Sequence, residues 1–410
     1  MPEQTFSAEE IDARVRQSDF RNYRTILSKD TRETLVSDAV NIASACFAPA
    51  CGLKYRVRKG RIVCFIDNYP SILVLRKISE NLATVSNAYP SERSRIIKVL
   101  TLVLREETSY RIYRLDVRRF FESLSKSTVL AAVESTRVSQ QTKSLLRFIL
   151  NEHVATGNTG IPTGLAISST LAEIMMLPFD DYVKTLPCTL FAARFVDDII
   201  LITTGEENSA SLLESLKAKL PLGAHFNEEK YAQIDVERRK LNNISYRRFE
   251  YLGYSFQVRD NVVNPKLAER VVDVDLSERT VKRQLSRLAK AFRAYVKDGN
   301  FDDLQARIRY LTSNYRLFDT RVSRKRLAGI FHNHPFLTYH PGNSLSRLDT
   351  ALRNLAHSGS QLRAGAGVAL TASQRQALSQ RSFLRGHRAK EYYCFSIKKL
   401  ALVKRCWFDG

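Results

Sequence analysis

Two adjacent aspartates, Asp197 and Asp198, interrupt an apolar run in RFVDDIILITTG, residues Arg194–Gly205. A carboxylate in such surroundings is costly unless it is paired, hydrogen-bonded or bound to a metal. Phe191, Ala193 and Phe195 alternate ahead of the acids, and Ile199, Ile200, Leu201 and Ile202 follow them. That pattern predicts a strand on each side. A strand, a tight acidic turn and a second strand bring both carboxylates to one edge of a sheet. A hairpin can also use aspartate only because it tolerates turn geometry. Which role applies depends on whether the rest of the chain supplies partners.

One partner is Asp116 in YRIYRLDVRRFFESL, at the junction between a strand segment (Ile112, Tyr113, Leu115) and a helix. Carboxylates on adjacent strand ends repel one another unless cations sit among them. Magnesium suits such a site, because it prefers oxygen ligands and keeps positions open for water and phosphate. Two such ions about 4 Å apart activate an attacking hydroxyl and stabilise a leaving pyrophosphate.

The charge balance points the same way. The 410 residues carry 64 Lys and Arg against 42 Asp and Glu, a formal net charge of +22. Such an excess favours a polyanionic partner, nucleic acid first. The cations are spread through LKYRVRKGR, RTVKRQLSRLAKAFR, RVSRKR and KKLALVKR instead of a single tail. No apolar run reaches the length of a membrane span, no lipidation motif is present, and the polar, acid-containing N-terminus supports no signal or transit peptide; a cytoplasmic protein is expected. The six cysteines form no CxxC pair and read as reduced thiols. His332, His334 and His340 lie close in sequence without an acidic or Cys partner, which favours a structural role. No Walker A or GxGxxG loop occurs.

Along the chain, the first fifty residues read as helical, with Ser7 and Glu10 forming a capping box. Strands are predicted between Lys54 and Ile66. SERSRIIKVLTLVLREE then reads as a helix with Ile96, Ile97, Leu100, Val103 and Leu104 on one side. A helical stretch to His153 leads into the glycine-punctuated GNTGIPTGL and a helix ending near Pro178. After the acidic hairpin come a helix near Ala210–Lys219 and strands in AHFNEEKYAQIDV and RRFEYLGYSFQV. From Ser277 the pattern is helical almost to the end, interrupted by the small-residue loop HSGSQLRAGAG.

The ordered segments RLDVRRFF, GIPTGLAISS, RFVDDIIL, NEEK and FEYLGYSF, between Ser91 and Gln257, resemble the motifs of reverse transcriptases. RIRYLTSNYRLFD and SIKKLALVKRCW further resemble the C-terminal region of bacterial defence-associated enzymes of the unknown-group and abortive-infection type. The resemblance implies an α+β right-hand polymerase: N-terminal extension and fingers over residues 1–108, a palm with an antiparallel sheet over 109–265 (fingers insertion about 122–160), and an all-α thumb and C-terminal region over 266–410. It implies an RNA-directed DNA polymerase that uses two Mg2+ ions and deoxynucleoside triphosphates. An RNA template, in a defence setting a dedicated non-coding RNA, and a DNA product strand are its partners.

By the same resemblance Asp116, Asp197 and Asp198 are the catalytic triad, and the Val117 carbonyl helps to hold a metal. Lys230 is a general acid near the leaving pyrophosphate. Phe121 is a steric gate against the ribose 2′-hydroxyl, with Phe120 its core neighbour. Gly160, Pro162, Thr163 and Gly164 form the substrate loop, and Arg93, Arg95 and Lys98 fall where the fingers supply cations to the triphosphate, which of the three does so being open. Phe249, Leu252, Gly253 and Tyr254 are the primer grip, and Lys282, Arg283, Arg287 and Lys290 line a nucleic-acid channel. The chain departs from the family pattern at Phe195, which lacks the usual tyrosine hydroxyl, and at Thr163, where a glutamine is common. RNase H, endonuclease and retron features are missing. The rivals are an RNA-dependent RNA polymerase, template-independent or protein-primed synthesis, and a non-catalytic RNA-binding scaffold.

Overall fold

The structure is a computed structural model that describes residues 3–16, 19, 29–58, 60–238, 246–259, 269–319, 324–358 and 370–408. Most of the HSGSQLRAGAG loop and the first half of RVSRKR lie outside the described residues. The chain divides into two compact units, Met1–Ile96 with Thr108–Arg238, and Ile97–Glu107 with Arg239–Gly410.

The first unit is built on a four-stranded antiparallel sheet in the order β4-β5-β3-β6, comprising β3 (Tyr110–Asp116), β4 (Thr189–Phe195), β5 (Asp198–Thr203) and β6 (Ala232–Val236). Alternation decides which face is covered. Tyr113, Leu115 and Val117 of the β3 segment and Ile199 and Leu201 of β5 join one core with Leu171, Met175 and Phe179 of the helix Ala166–Thr185. That helix runs past Pro178 instead of ending near it. A proline inside a helix forfeits a backbone hydrogen bond and costs about 3 kcal/mol; burial of Phe179 and Val183 beyond it offsets this. Two further strands, β1 (Lys54–Arg58) and β2 (Arg61–Phe65), form a separate hairpin. Ser7 does cap a helix, accepting the Glu10 N–H, but that helix is short, Ala8–Asp12.

The second unit holds a three-stranded sheet of β7 (Tyr246–Tyr251), β8 (Tyr254–Arg259) and β9 (Val271–Leu276). The helix Glu278–Asp298 follows, capped by Ser277, whose hydroxyl accepts the Thr280 N–H. The expectation of an all-α C-terminal region is corrected here: β10 (Asn314–Asp319) and β11 (Arg324–Gly329) pair as an antiparallel hairpin. Tyr315 and Ala328, opposite one another, are buried, while the next pair, Arg316 and Leu327, is exposed. Asn314 anchors it, its side-chain amide donating to the Glu391 carbonyl and its oxygen accepting the Phe331 N–H. Among the described residues no helix is long and apolar enough to cross a membrane.

Candidate active site

β3 ends on Asp116, β5 begins on Asp198, and the antiparallel register sets these two residues directly opposite one another. Asp198 also faces Phe195 of β4, so Val196 and Asp197 are the two-residue turn between the strands. The three carboxylates therefore collect at one end of the four-stranded sheet. Tight hairpin turns need a positive φ at a central position to follow the strand twist. Val196 provides it, at φ 62°, and a β-branched residue there is strained. The turn is tied down from the neighbouring strand, where the Val117 N–H donates to the Asp197 carbonyl at 3.1 Å.

Asp116 is buried and fully engaged. Lys230 Nζ donates to its Oδ1 at 2.7 Å and Asn227 Nδ2 to its Oδ2 at 3.3 Å, while the Asn227 N–H donates to its backbone carbonyl at 2.7 Å. Lys230 reaches it because NEEK is not strand, as expected from sequence, but a short 3-10 turn, Glu228–Lys230, delivering the chain to β6 beside β3. Burial is the first cause that pushes the Asp197 and Asp198 carboxyls above the usual carboxylate range. The Asp116 charge adds to it at both, and the Asp197 charge at Asp198. Lys230 opposes the shift at both sites, with Arg61 at Asp197 and Arg114 at Asp198.

Carboxylate oxygens with excess negative charge in a desolvated place are the kind of donors a hard divalent cation takes. The bridge between Val117 and Phe226 is closed by the Arg118 N–H to the His225 carbonyl and the Asn227 N–H to the Asp116 carbonyl. The Val117 carbonyl is not part of that ladder. Among the described residues no three His, Cys, Asp or Glu side chains form a ready-made cage, in keeping with Asp116 being held by Lys230 and Asn227.

Beside the acids, Phe120 is buried and Phe121 half-buried, the rings 5.7 Å apart and tilted by 55°. The Phe121 carbonyl accepts the Ile161 N–H at 2.8 Å, which docks the GIPTG loop. Gly160 (φ 78°) is obligatory here: a Cβ would collide with the backbone of Phe121 and Glu122. Gly164 (φ 110°) meets the Cys64 carbonyl in the same way. The loop is sewn to β2 by the Cys64 N–H donating to the Thr163 carbonyl and by the Thr163 hydroxyl donating to the Ile62 carbonyl, each at 2.7 Å. That hydroxyl is spent on the protein. Pro162 is buried in the loop.

Arg93, Arg95 and Lys98 lie on the helix Arg93–Val103, the last two exposed. Sequence reasoning missed Arg61, exposed on β2, and Arg114 on β3, whose charges act on the aspartates. Arg61 was visible only as one cation in LKYRVRKGR, and its relevance depends on a hairpin fold that spacing does not reveal.

In the second unit, β7 and β8 turn through Leu252 (φ 46°) and Gly253 (φ 81°). Phe249 stacks on Phe256 at 5.1 Å and Tyr254 meets His334 edge-on at 5.3 Å, both inside that unit's core. Of the four residues assigned to a primer grip, Phe249 and Tyr254 are thus packed inward, and Leu252 and Gly253 form the turn between the strands. On the helix Glu278–Asp298, Lys282 and Arg283 are exposed; Arg287 and Lys290 are half-buried. The Arg287 carbonyl accepts the Trp407 Nε1–H at 3.0 Å, and its guanidinium lies 5.8 Å from the indole centre. Arg293 and Lys297 continue the exposed stripe.

No curated protein matches the chain. Among solved structures it is similar to apo telomerase from Candida tropicalis truncated from its C-terminal domain, at 12% identity and a TM-score of 0.36. The likeness covers 55% of this chain and 54% of that one. The stretch holding the three carboxylates, Lys230 and the Leu252–Gly253 turn matches a described family: over residues 68–256 the chain fits the family model of the Reverse transcriptase (RNA-dependent DNA polymerase).

Proposed function

We propose that this chain is an RNA-directed DNA polymerase that joins deoxynucleotides to a primer 3′-hydroxyl. The observation that carries the reading is the convergence of Asp116, Asp197 and Asp198 at one sheet end, with Lys230 on Asp116. Asp116, Asp197, Asp198 and the Val117 carbonyl would hold two magnesium ions. Magnesium there supplies the charge that activates the 3′-hydroxyl and stabilises the departing pyrophosphate. The residues of the chain do the rest. Asp197 and Asp198, destabilised as bare anions, favour any arrangement that brings cations to them. Lys230 carries a proton within reach of the leaving group and donates it as the pyrophosphate departs. Arg61, Arg93 and Arg95 are cations for the triphosphate, and Gly160 and Gly164, whose bare faces abut Phe121–Glu122 and Cys64, seat the loop backbone beside the nucleotide. Phe121, the more exposed ring of its pair, closes the pocket under the sugar.

In this reading residues 1–108 supply the fingers and 109–265 the palm, and the exposed cations of the helix Glu278–Asp298 serve a thumb that grips the template–product duplex by its phosphates. The resemblance of the C-terminal segments to defence-associated enzymes supports a role in bacterial antiviral defence, with a non-coding RNA as template. The test is extension of a DNA primer on an RNA template by the purified protein, with deoxynucleotides and ribonucleotides compared. Deoxynucleotide incorporation that requires both Mg2+ and the RNA strand is expected. Preference for ribonucleotides, or incorporation indifferent to template, contradicts the reading. Sequencing the nucleic acid that co-purifies identifies the template.

A further inference from the structure

Arg194 lies in β4, two residues before the strained Val196, and its side chain is 6% exposed. All five guanidinium N–H donors find acceptors in three places. Nε donates to Asp180 Oδ1 at 3.0 Å. Nη2 donates to Asp180 Oδ2 at 2.7 Å and to Glu173 Oε2 at 2.6 Å. Nη1 donates to Glu173 Oε1 at 3.2 Å and to the Val196 carbonyl at 3.1 Å. Glu173 and Asp180 are seven residues apart on one face of the helix Ala166–Thr185, and that face extends to Asp180 only because the helix continues through Pro178. A buried cation with two carboxylates would suffice for charge pairing. The bond to Val196 does something further.

The Val196 carbonyl belongs to the peptide plane that precedes Asp197, and fixing it fixes the direction in which the Asp197 side chain leaves the backbone. The plane that follows Asp197 is held by the Val117 N–H on the Asp197 carbonyl. Asp197 is thus pinned on both sides, in a turn whose φ at Val196 would otherwise relax. Resting on the polymerase reading above, we propose that Arg194 is a positioning residue: its fifth hydrogen bond holds the strained Val196–Asp197 peptide so that the Asp197 carboxylate faces the cation site. Glu173, which accepts from both Nη1 and Nη2, keeps Nη1 aimed at Val196, while Asp180, on the Nε side, balances the guanidinium charge.

Arg194→Lys tests this, because it keeps a cation for Glu173 and Asp180 but places its donors on one point that cannot span all three partners. The probe is Mn2+ alone, titrated against the full chain and read by electron paramagnetic resonance, with the melting temperature as a check on folding. The half-saturating Mn2+ concentration is expected to rise at least about tenfold, ~1.4 kcal/mol of binding. Nucleotide incorporation should fall at limiting cation and recover at high cation, with the nucleotide KM unchanged. Asp180→Asn loosens the same network while the Val196 bond stays, and should bind Mn2+ within about twofold of wild type. Val196→Gly, which takes a positive φ without strain, offers a second route if the lysine variant fails to fold; weaker Mn2+ binding at an undiminished melting temperature is expected. Wild-type Mn2+ affinity in folded Arg194→Lys or in Val196→Gly overturns the proposal, as does an equal loss in Asp180→Asn. In either case Asp197→Asn must bind Mn2+ more weakly than wild type; if it does not, the cation site itself is wrong and both readings fall.

Discussion

The acid end of the four-stranded sheet and the helix Glu278–Asp298 are both clusters of like charge, held under opposite physical conditions. Asp116 is 5% exposed, and burial together with mutual repulsion raises the carboxyls of Asp197 and Asp198. Lys282, Arg283, Arg293 and Lys297 are instead exposed, where water and salt screen their repulsion. Like charge is thus costly at the sheet end and cheap on the helix. A desolvated cluster calls for a compact multivalent counter-ion in contact with it, while a hydrated stripe suits a long polyanion that releases its own counter-ions. Arg287 and Lys290 lie between these extremes, half-buried beneath the helix Ile397–Phe408 that brings Trp407 onto Arg287.

The largest effect separates the clusters by activity. Asp197→Ala combined with Asp198→Ala is expected to lower incorporation at least about a thousandfold, ~4 kcal/mol of transition-state stabilisation, and to leave RNA affinity unchanged. Filter binding and single-nucleotide extension on one preparation check both halves; an equal loss of RNA affinity would merge the two clusters into one.

Salt probes the other side. Replacing Lys282, Arg283 and Arg293 by Gln should flatten the dependence of log affinity on log salt by about 2–3, measured between roughly 50 and 200 mM. Arg287→Gln should leave that slope nearly alone and lower the melting temperature, since it removes a packing contact with Trp407 and not an exposed charge. If Arg287→Gln flattens the slope as much as the triple variant, burial does not divide the helix as described.

A smaller effect lies in the two rings beside Asp116. Phe121→Val should reduce discrimination against ribonucleotides at least about tenfold, ~1.4 kcal/mol, with stability little changed. Phe120→Val should cost stability, on the order of 1–3 kcal/mol for a truncated core side chain, and leave discrimination intact. Paired deoxy- and ribonucleotide extension with denaturant melts distinguishes them, and exchanged phenotypes would assign the gate to Phe120.

The smallest effect is on stability against pH. Asp197 and Asp198 bind their protons more tightly in the fold than in the unfolded chain, where aspartate titrates near about 3.9. Stability therefore falls as pH rises through the window between that value and the raised folded ones, and the penalty is complete above it. Asp198→Asn should raise the melting temperature slightly at pH 7 and not at all near pH 3. A variant less stable than wild type at pH 7 would show that the carboxylates are not under strain.

Much of the acid site was legible because its signal is local: charged residues in apolar strands, and a short turn between them, are written in consecutive letters. Asp116 could be joined to the pair because it too ends an apolar strand. What could not be read depends on long-range placement. Arg194 looks like one more cation of a basic chain until Glu173 and Asp180 close around it, 21 and 14 residues away in sequence. Arg61 acquires meaning only when the β1–β2 hairpin exists. The motif that groups Phe249 and Tyr254 with the Leu252–Gly253 turn does not show that both rings pack inward from paired strands. The β10–β11 hairpin was lost because β11 opens on three consecutive basic residues, Arg324, Lys325 and Arg326, and so shows no apolar period of two in a region that otherwise reads as helix.

The most direct test of the contrast between the clusters is the melting temperature of wild type and of the Asp197→Asn, Asp198→Asn double variant across a Mn2+ titration. Without cation the double variant should be the more stable, because it lacks the repulsion. At about a hundredfold excess over half-saturation a single site adds ~2.7 kcal/mol to whichever protein binds, so wild type should rise and overtake it, the curves crossing once. Parallel curves, with Mn2+ moving both proteins equally or neither, would contradict the claim that these carboxylates are gathered to hold a metal.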